Sequence, residues 1–309
     1  MLGIDPNPDL FGPAFVIGLA NAGIFSVLAI ALVLTYRISR TIGFVHYGIA
    51  VVGAYGYYHF TVEYTMPGWV ALVVIMGIGA GVGAAYGLVM MNGRIAFLPP
   101  LTLSTVSIAA MLIIGAVATE NFPVAPDVAI SASPFGDDSF RIWSFNVTAH
   151  RLACLLISVV LVVFVSLYLN RTRAGVNVRA ISDDVEAARW SGIRLYRIGV
   201  GSYAAAGAMA ALAGALLAPL AGTDLSAILL VFFRALTVAV VGGFSSPALA
   251  LFGAIVLSTV DSFATTSALG DINPATRESM IFSAMVLTAV AAAAFRNRHS
   301  PRTALAVRS

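Results

Sequence analysis

The chain contains no lysine, and this absence excludes one large class of function. All 17 of its basic residues are arginine. A phosphate-binding P-loop needs the lysine of the pattern GxxxxGK followed by Ser or Thr, so this chain does not bind ATP through such a loop. If ATP drives its function, a separate protein must hydrolyse the nucleotide.

Cysteine is almost absent too. The single cysteine, Cys154, lies inside an apolar run, so an intrachain disulfide is impossible and a cysteine-based metal site is not indicated. The sequence also has no Ser/His/Asp arrangement or metal-ligand spacing that would suggest catalysis. We therefore expect a protein that is not an enzyme and that has neither a metal site nor a cofactor.

Charged residues are scarce. They make up 10% of the 309 residues, whereas 60% are apolar and the mean hydropathy is +0.94. A soluble domain has about 25% charged residues, so this composition indicates an integral membrane protein. We attribute the net charge of +3 to arginines beside the membrane and expect no nucleic-acid partner.

Apolar runs recur along the chain that are long enough to cross a bilayer. The predicted fold class is all-α, a single polytopic transmembrane domain over 1–309 with about nine spans (eight to ten), each needing about 20 apolar residues. The seventh and eighth are short, and are either half-helices or one element broken near Gly242 to Pro247. The predicted spans are 14–36, 42–61, 68–91, 99–119, 150–170, 198–221, 228–241, 247–263 and 280–296.

Arginine is distributed unevenly between the predicted loops, and cytoplasmic loops retain positive charge. With the N-terminus outside and the C-terminus inside, most arginines face the cytoplasm, including six in the connector at 171–197 and those of a basic tail at 297–309. Acidic residues then concentrate outside, where 120–149 forms the largest loop. We therefore expect an N-out, C-in protein.

Two predicted spans carry small residues at four-residue spacing, which permits close backbone approach in lipid. We expect these helices to pack closely on neighbours within the bundle rather than to form a dedicated dimer seam. The residues are Gly79, Gly83 and Gly87 in one span and Gly207, Ala211 and Ala215 in another.

The 171–197 connector has helix-capping residues. Asp183 suits an N-cap, Glu186 stands where a capping-box partner would, and Gly192 suits a left-handed C-cap. The pattern predicts a helix of about two turns over 184–191, which needs tertiary or partner contacts because isolated helices shorter than about 12–15 residues are unstable in water. The residues alone leave open an interfacial helix or a partner-docking helix.

The connector and the following span resemble the signature of the Liv-type branched-chain amino-acid permease subunits of ABC importers, T-x-x-G-x-x-x-R-A-x-x-x-D-x-x-x-A-x-x-x-G-I. A second block, RALTVAVVGGFSSPALALFGA, is similar to a later family segment, with Arg234 at its basic position but Ser245 and Leu249 in place of glycines. A third, IGFVHYGIAVVGAY, retains His46 but departs at Tyr47. The residues that match the first signature are Thr172, Gly175, Arg179, Ala180, Asp184, Ala188, Gly192 and Ile193.

This resemblance implies a permease subunit of the bacterial inner membrane that forms the translocation pathway for branched-chain or related amino acids. The implied partners are two ABC ATPase subunits, a second homologous permease chain and an extracytoplasmic binding protein. In the family the connector is a coupling loop, whose short helix sits in a cleft of the ATPase. The coupling residues that we assign here are Gly175, Arg179, Ala180, Asp183, Asp184, Glu186, Ala188, Gly192 and Ile193.

One basic residue, Arg234, stands inside a predicted span, where a charge costs roughly 2.5–3.5 kcal/mol and usually faces a cavity. It attracts a substrate carboxylate, or pairs with Asp224 or Asp261 and so locks helices together, or snorkels outward to the membrane surface. His46 is either a hydrogen-bonded helix residue or part of the substrate pathway. The pathway candidates are His46, Arg234, Gly242, Gly243 and Ser246.

Other functions stay open besides import of amino acids. Permeases of the same family carry urea or short-chain amides. An ion-coupled secondary transporter would need acidic residues near the membrane midplane, and the sequence has almost none there. A structural or assembly membrane protein would not explain the capped connector or the family blocks.

Overall fold

The structure, a computed structural model, describes residues 11–93, 95, 98–123, 133–136, 139–142, 145–244 and 246–265, with the isolated positions 279, 283, 286, 287 and 290. Apart from one β-hairpin, the elements in these ranges are helices that pack into a bundle. They are α1 (Phe11–Ser39), α2 (Val45–Tyr58), a π-helix (His59–Glu63), α3 (Gly68–Met90), α4 (Pro100–Asn121), β1 (Ser139–Ile142), β2 (Phe145–Thr148), α5 (Ala149–Arg171), α6 (Arg173–Asp183), α7 (Val185–Trp190), α8 (Leu195–Ala221), α9 (Leu225–Val241) and α10 (Pro247–Thr265).

The first eight predicted spans coincide with helices, within a few residues at each end. Five of these helices, α1, α3, α4, α5 and α8, are long and apolar enough to cross a membrane, while α9 and α10 are shorter apolar helices. The predicted polytopic helical bundle is therefore confirmed. The ninth predicted span, 280–296, and the tail at 297–309 lie outside the described residues, except for isolated positions in 280–296.

A tight turn separates α9 from α10, at the break that the sequence predicted. Gly243 has a positive φ of 65°, and the N–H of Phe244 donates to the carbonyl of Ala239 at 2.9 Å. This is the bond that closes a Schellman motif at a helix end. Phe244 then stacks on Tyr36 of α1, with 4.1 Å between the ring centroids, so the turn is fixed to the end of α1.

The centre of the bundle is formed by α1 and α8. Most of the length of these two helices is buried, whereas only a minor part of α3, α4 and α5 is buried. The exposed faces of the outer helices carry large apolar side chains such as Leu101, Ile113 and Phe164. In a membrane protein such faces are covered by lipid or by another subunit, so the burial pattern agrees with a bilayer as the solvent.

The two stripes of small residues pack against each other, where α3 crosses α8. A Cβ atom added to Gly83 would lie 3.0 Å from the Cα of Gly207 and would also meet the backbone oxygen of Tyr203. Gly207 in turn lies against the backbone of Gly79. Close packing on a neighbour is therefore confirmed, and the neighbour is a helix of the same chain.

The contact between α2 and α8 is equally close. A Cβ atom at Gly53 would lie 2.8 Å from the Cα of Ala211, and one at Gly214 would lie 3.0 Å from the Cα of Ala50. Real Cβ atoms do not approach a backbone so closely without a shift of one helix. Small residues on α8 therefore set its distance from both α2 and α3.

A short hairpin is the exception to helical structure. β1 pairs antiparallel with β2, and Ser139 lies opposite Thr148. Both strands fall within the predicted loop at 120–149, so the hairpin stands outside the bundle's spans and leads directly into α5. It leaves the predicted fold class of the bundle unchanged.

The α3–α8 contact can be tested with two glycines of one helix. Gly83→Leu forces a side chain into the backbone of α8, and we expect destabilisation of at least about 1–3 kcal/mol, as for overpacked cores. Gly81→Leu is the matched control, because a Cβ there meets nothing within 4 Å. Thermal melting of the detergent-purified variants measures the difference, and equal melting temperatures for the two would contradict the contact.

Candidate functional site

The connector folds into two helices, and not into the single short helix that we predicted. α6 has 11 residues and α7 has 6. Thr172 caps α6, since its Oγ1 accepts a hydrogen bond from the N–H of Gly175 at 3.0 Å. The buried residues of α6 are Gly175, Val178 and Ile181, a spacing of three that is typical of one helix face. This spacing and the capping threonine are the sequence signals for α6.

The N-cap of α7 is Asp184, so the assignment of Asp183 was wrong by one residue. Oδ1 of Asp184 accepts hydrogen bonds from the N–H groups of Glu186 at 2.9 Å and Ala187 at 3.0 Å. Asp183 is the last residue of α6, which excludes it as the cap of the next helix. The predicted capping box between Asp183 and Glu186 is therefore also wrong.

The C-terminus of α7 closes at Gly192, as predicted, with a positive φ of 79°. The N–H of Ile193 donates to the carbonyl of Ala188 at 3.1 Å, and the N–H of Gly192 donates to that of Arg189 at 3.0 Å. These are the two hydrogen bonds of a Schellman motif. Ala188 is buried and Ile193 packs against the core. The two residues joined by the longer hydrogen bond therefore both anchor α7 to the bundle.

The remaining predicted coupling residues have different surroundings. Gly175 is buried so closely against α5 that a Cβ atom would clash with the backbone of that helix. The carbonyl of Ala180 accepts the N–H of Asp184 at 3.0 Å, which makes Asp184 the C-cap of α6 as well as the N-cap of α7. Arg179 is exposed, with Nη1 3.5 Å from Oδ1 of Asn170, and Glu186 is exposed on α7.

Trp190 is the surface residue that the sequence analysis missed. It is the last residue of α7 and is 91% exposed. Glu186 and Arg189 are exposed on the same short helix. Tryptophan and arginine are enriched at protein interfaces relative to other surfaces. An aromatic residue two positions before the C-terminal glycine of a charged helix was the available signal, and the exposed side of α7 has the composition of a docking surface.

Arg234 of α9 pairs with Asp261 of α10, one of the two partners that the sequence left open. The distance from Nη2 to Oδ1 is 2.9 Å, and the two side chains are 14% and 7% exposed. The guanidinium carbon also lies 5.8 Å from the ring centroid of Phe25 on α1, within the range of a cation–π contact. Three helices therefore meet at a basic group whose charge is neutralised.

The other possible partner, Asp224, caps α9. Its carboxylate accepts hydrogen bonds from the Ser226 hydroxyl at 2.6 Å and from the Ser226 N–H at 3.0 Å. These hydrogen bonds hold the pKa of Asp224 below its usual value, because they favour the charged form. Asp224 is therefore a helix cap, and the ion pair with Arg234 belongs to Asp261.

The other pathway candidates lie in a helix contact and in the α9–α10 turn. His46 is fully buried on α2, with Nδ1 2.8 Å from the carbonyl oxygen of Gly43. Its Nε2 has no hydrogen-bond partner among the described residues. Gly242 and Gly243 follow α9, and Ser246 precedes α10, where its Oγ accepts a hydrogen bond from the first turn at 3.4 Å. These contacts join each candidate to its own local neighbours.

Comparison with known proteins adds three findings. Residues 14–291 match a family model described as the permease component of a branched-chain amino acid transport system. The fructose import permease protein FrcC of Rhizobium meliloti is 29% identical over 233 residues, which are 73% of this chain but only 61% of that protein. PsaBC from Streptococcus pneumoniae, solved in complex with Fab, aligns with a TM-score of 0.44 and 12% identity over 94% of this chain and 93% of that one.

The ion pair yields a test by paired substitution. Arg234→Leu removes the guanidinium that faces the buried carboxylate of Asp261, and breaking such a buried pair costs roughly 3–5 kcal/mol. We expect a clear fall in melting temperature for Arg234→Leu, and recovery of most of it when Asp261→Leu is added. The exposed Arg171 provides the control, since Arg171→Leu should leave the melting temperature unchanged. If the fall in melting temperature of the double variant equals the sum of the falls in the two single variants, the two side chains are not coupled.

Proposed function

The chain belongs to the family of permease components of branched-chain amino acid transport systems, and from this premise we propose that it is the membrane-spanning permease subunit of an ATP-driven ABC importer. In this proposal it forms the translocation pathway for branched-chain or related amino acids. It is a transport subunit, and ATP hydrolysis takes place on a partner. The chain spans only 61% of the length of the curated relative that it matches, so its substrate and its partners are part of the proposal.

The observation that carries the proposal is the geometry of α7. This helix has only 6 residues, far fewer than the roughly 12–15 that an isolated helix needs in water. It is nevertheless capped at both ends and anchored through Ala188 and Ile193. Its other side presents an exposed tryptophan beside charged residues. A rigid helix with one anchored side and one free aromatic side is suited to fit a cleft of an ATPase.

The chain also offers a route by which movement of α7 reaches the pathway. Only residues 191–194 separate α7 from α8, and α8 contacts α1, α2 and α3 at close range. A displacement of α7 by the ATPase would therefore act on the central helix of the bundle. In this scheme the predicted coupling residues act in two groups. Gly175, Ala180, Asp184, Ala188, Gly192 and Ile193 hold the connector in shape, and Arg179, Asp183 and Glu186 lie on its exposed surface.

The proposed arrangement in the membrane follows the distribution of arginine. The N-terminus is outside, the connector and the C-terminus are cytoplasmic, and the membrane is the bacterial inner membrane. The partners are two ABC ATPase subunits at the connectors, a second homologous permease chain, and a binding protein that docks on the outer face. Support for the sidedness comes from the excess of arginine on one side of the predicted spans.

The neutralised ion pair bears on the substrate. Arg234 is paired with Asp261, so these two side chains together add no net charge to the interior of the bundle, through which the proposed pathway runs. A zwitterionic amino acid and a neutral sugar both suit such a pathway. The likeness to a fructose import permease makes sugar import the second candidate. Import of urea or short-chain amides and ion-coupled transport rank below it, because no contact among the described residues favours them.

The docking role of α7 is tested by two tryptophans. Trp190→Ala should weaken binding of the partner ATPase about 30-fold, which corresponds to a hot-spot contribution of about 2 kcal/mol. Trp69→Ala is the matched control. Trp69 is 67% exposed and lies in the first turn of α3, whereas it is the last turns of α3 that pack near the start of α8 and so near α7. Co-purification with the ATPase and titration of the ATPase measure its binding to both variants. Unchanged binding by Trp190→Ala would remove α7 as the docking helix.

Uptake into proteoliposomes tests the transport function itself. The full complex should accumulate labelled leucine in an ATP-dependent and vanadate-sensitive manner. Uptake of labelled fructose by the same vesicles tests the second candidate substrate. Vanadate-sensitive uptake of fructose alone would replace the amino-acid proposal with sugar import. Uptake that an uncoupler abolishes and vanadate leaves intact would contradict an ABC importer.

A further inference from the structure

Three arginines converge where α1 ends. Arg37 lies in the last turn of α1 and Arg40 directly follows that helix. Together with Arg179 of α6 they line a recess of about 250 Å³. Asp183 is the one carboxylate among the lining residues, so the described recess has an excess of positive charge. The lining residues are Tyr36, Arg37, Arg40, Arg179, Ser182, Asp183, Gly243 and Phe244.

The hydrogen-bonding capacity of these arginines is only partly used. Nε of Arg37 is buried and has no hydrogen-bond partner among the described residues. Arg179 reaches Asn170 only at 3.5 Å, the long limit for a hydrogen bond. Arg40 adopts a positive φ of 55°, a backbone conformation that is uncommon outside glycine. An anion with several oxygen atoms would satisfy the free N–H groups, since guanidinium groups pair strongly with phosphate.

A larger apolar cavity adjoins this recess through Arg40, which lines both. The cavity has a volume of about 330 Å³, within the range of about 300–1,000 Å³ that is usual for ligand sites. Its lining is mostly apolar and comes from α1, α3, α4, α6, α7 and α8. The residues are Ile38, Ser39, Arg40, Met90, Met91, Gly93, Leu103, Ile181, Val185, Arg189, Leu195 and Tyr196.

The cavity is open to the surface of the bundle. Two of its apolar lining residues, Val185 and Tyr196, are 39% and 51% exposed. An acyl chain can therefore reach the apolar space from outside. A soluble anion such as inorganic phosphate or a nucleotide would leave this apolar space unfilled.

We propose that this end of the bundle binds one anionic phospholipid. The phosphate accepts hydrogen bonds from Arg37, Arg40 and Arg179, and an acyl chain lies in the apolar cavity. Because Val185 and Arg189 of α7 also line that cavity, the lipid joins the short connector helix to α1, α3 and α4. The site depends only on the chain's position in a bilayer, and its test is independent of the transported substrate.

The experiment uses the full chain in detergent with phosphatidylglycerol, and native mass spectrometry counts the lipid retained. We expect the wild type to retain one phosphatidylglycerol in preference to phosphatidylcholine. The double variant Arg37→Ala with Arg40→Ala should bind at least about tenfold more weakly. Gly93→Trp should weaken binding similarly by filling the cavity, since Gly93 has open space around it. Arg173→Ala, in the same connector but outside both sets of lining residues, should bind as the wild type does.

Soluble sn-glycerol 1-phosphate separates a lipid site from an anion site. At millimolar concentration it should leave the retained phosphatidylglycerol in place. Complete displacement by it would mean a soluble-anion site and would overturn the proposal, as would equal retention of phosphatidylcholine or normal retention by the double arginine variant. If the double variant does not fold, Arg179→Gln takes its place. Normal retention of phosphatidylglycerol by folded Arg179→Gln and by folded Gly93→Trp would equally overturn the proposal.

Discussion

Close backbone contact around α8 is the interaction on which the rest of the structure depends. In lipid the apolar side chains of two helices gain little from burial against each other, so packing at small residues holds the helices together. Gly207 and Gly214 bring α8 against α3 and α2, and α8 begins only a few residues after the capped connector helix α7. In the proposed coupling this closeness matters, because a displacement of the connector would act directly on the central helix.

Charge inside the bundle is handled by local neutralisation. The guanidinium of Arg234 is paired with Asp261 and faces Phe25, and Asp224 is occupied as the cap of α9. Among the residues that the structure describes, the other charged side chains lie near helix ends or in the connector. This division agrees with the proposed neutral or zwitterionic permeant, and it places the charged side chains where the proposed lipid and protein partners would meet them.

The helices were predictable because apolar length alone determines where a chain crosses a bilayer, and the first eight spans follow from it. Other features depend on contacts that are distant in sequence. The glycine stripes predicted close packing, but only the fold reveals that Gly83 faces Gly207. Asp183 and Asp184 both satisfy a capping pattern, and the choice depends on where α6 ends. Either of two carboxylates or a substrate could have satisfied Arg234, and only the packing of α9 on α10 selects Asp261.

The sidedness of α7 is the most direct test of the proposed coupling, because a coupling helix must face the ATPase in the cytoplasm. Ser191→Cys places an exposed thiol beside α7, and the natural Cys154 is buried and so provides little background. A membrane-impermeant maleimide, applied to inside-out and right-side-out vesicles, then reports which side α7 occupies. We predict labelling in inside-out vesicles only, and labelling in right-side-out vesicles only would contradict a cytoplasmic coupling helix.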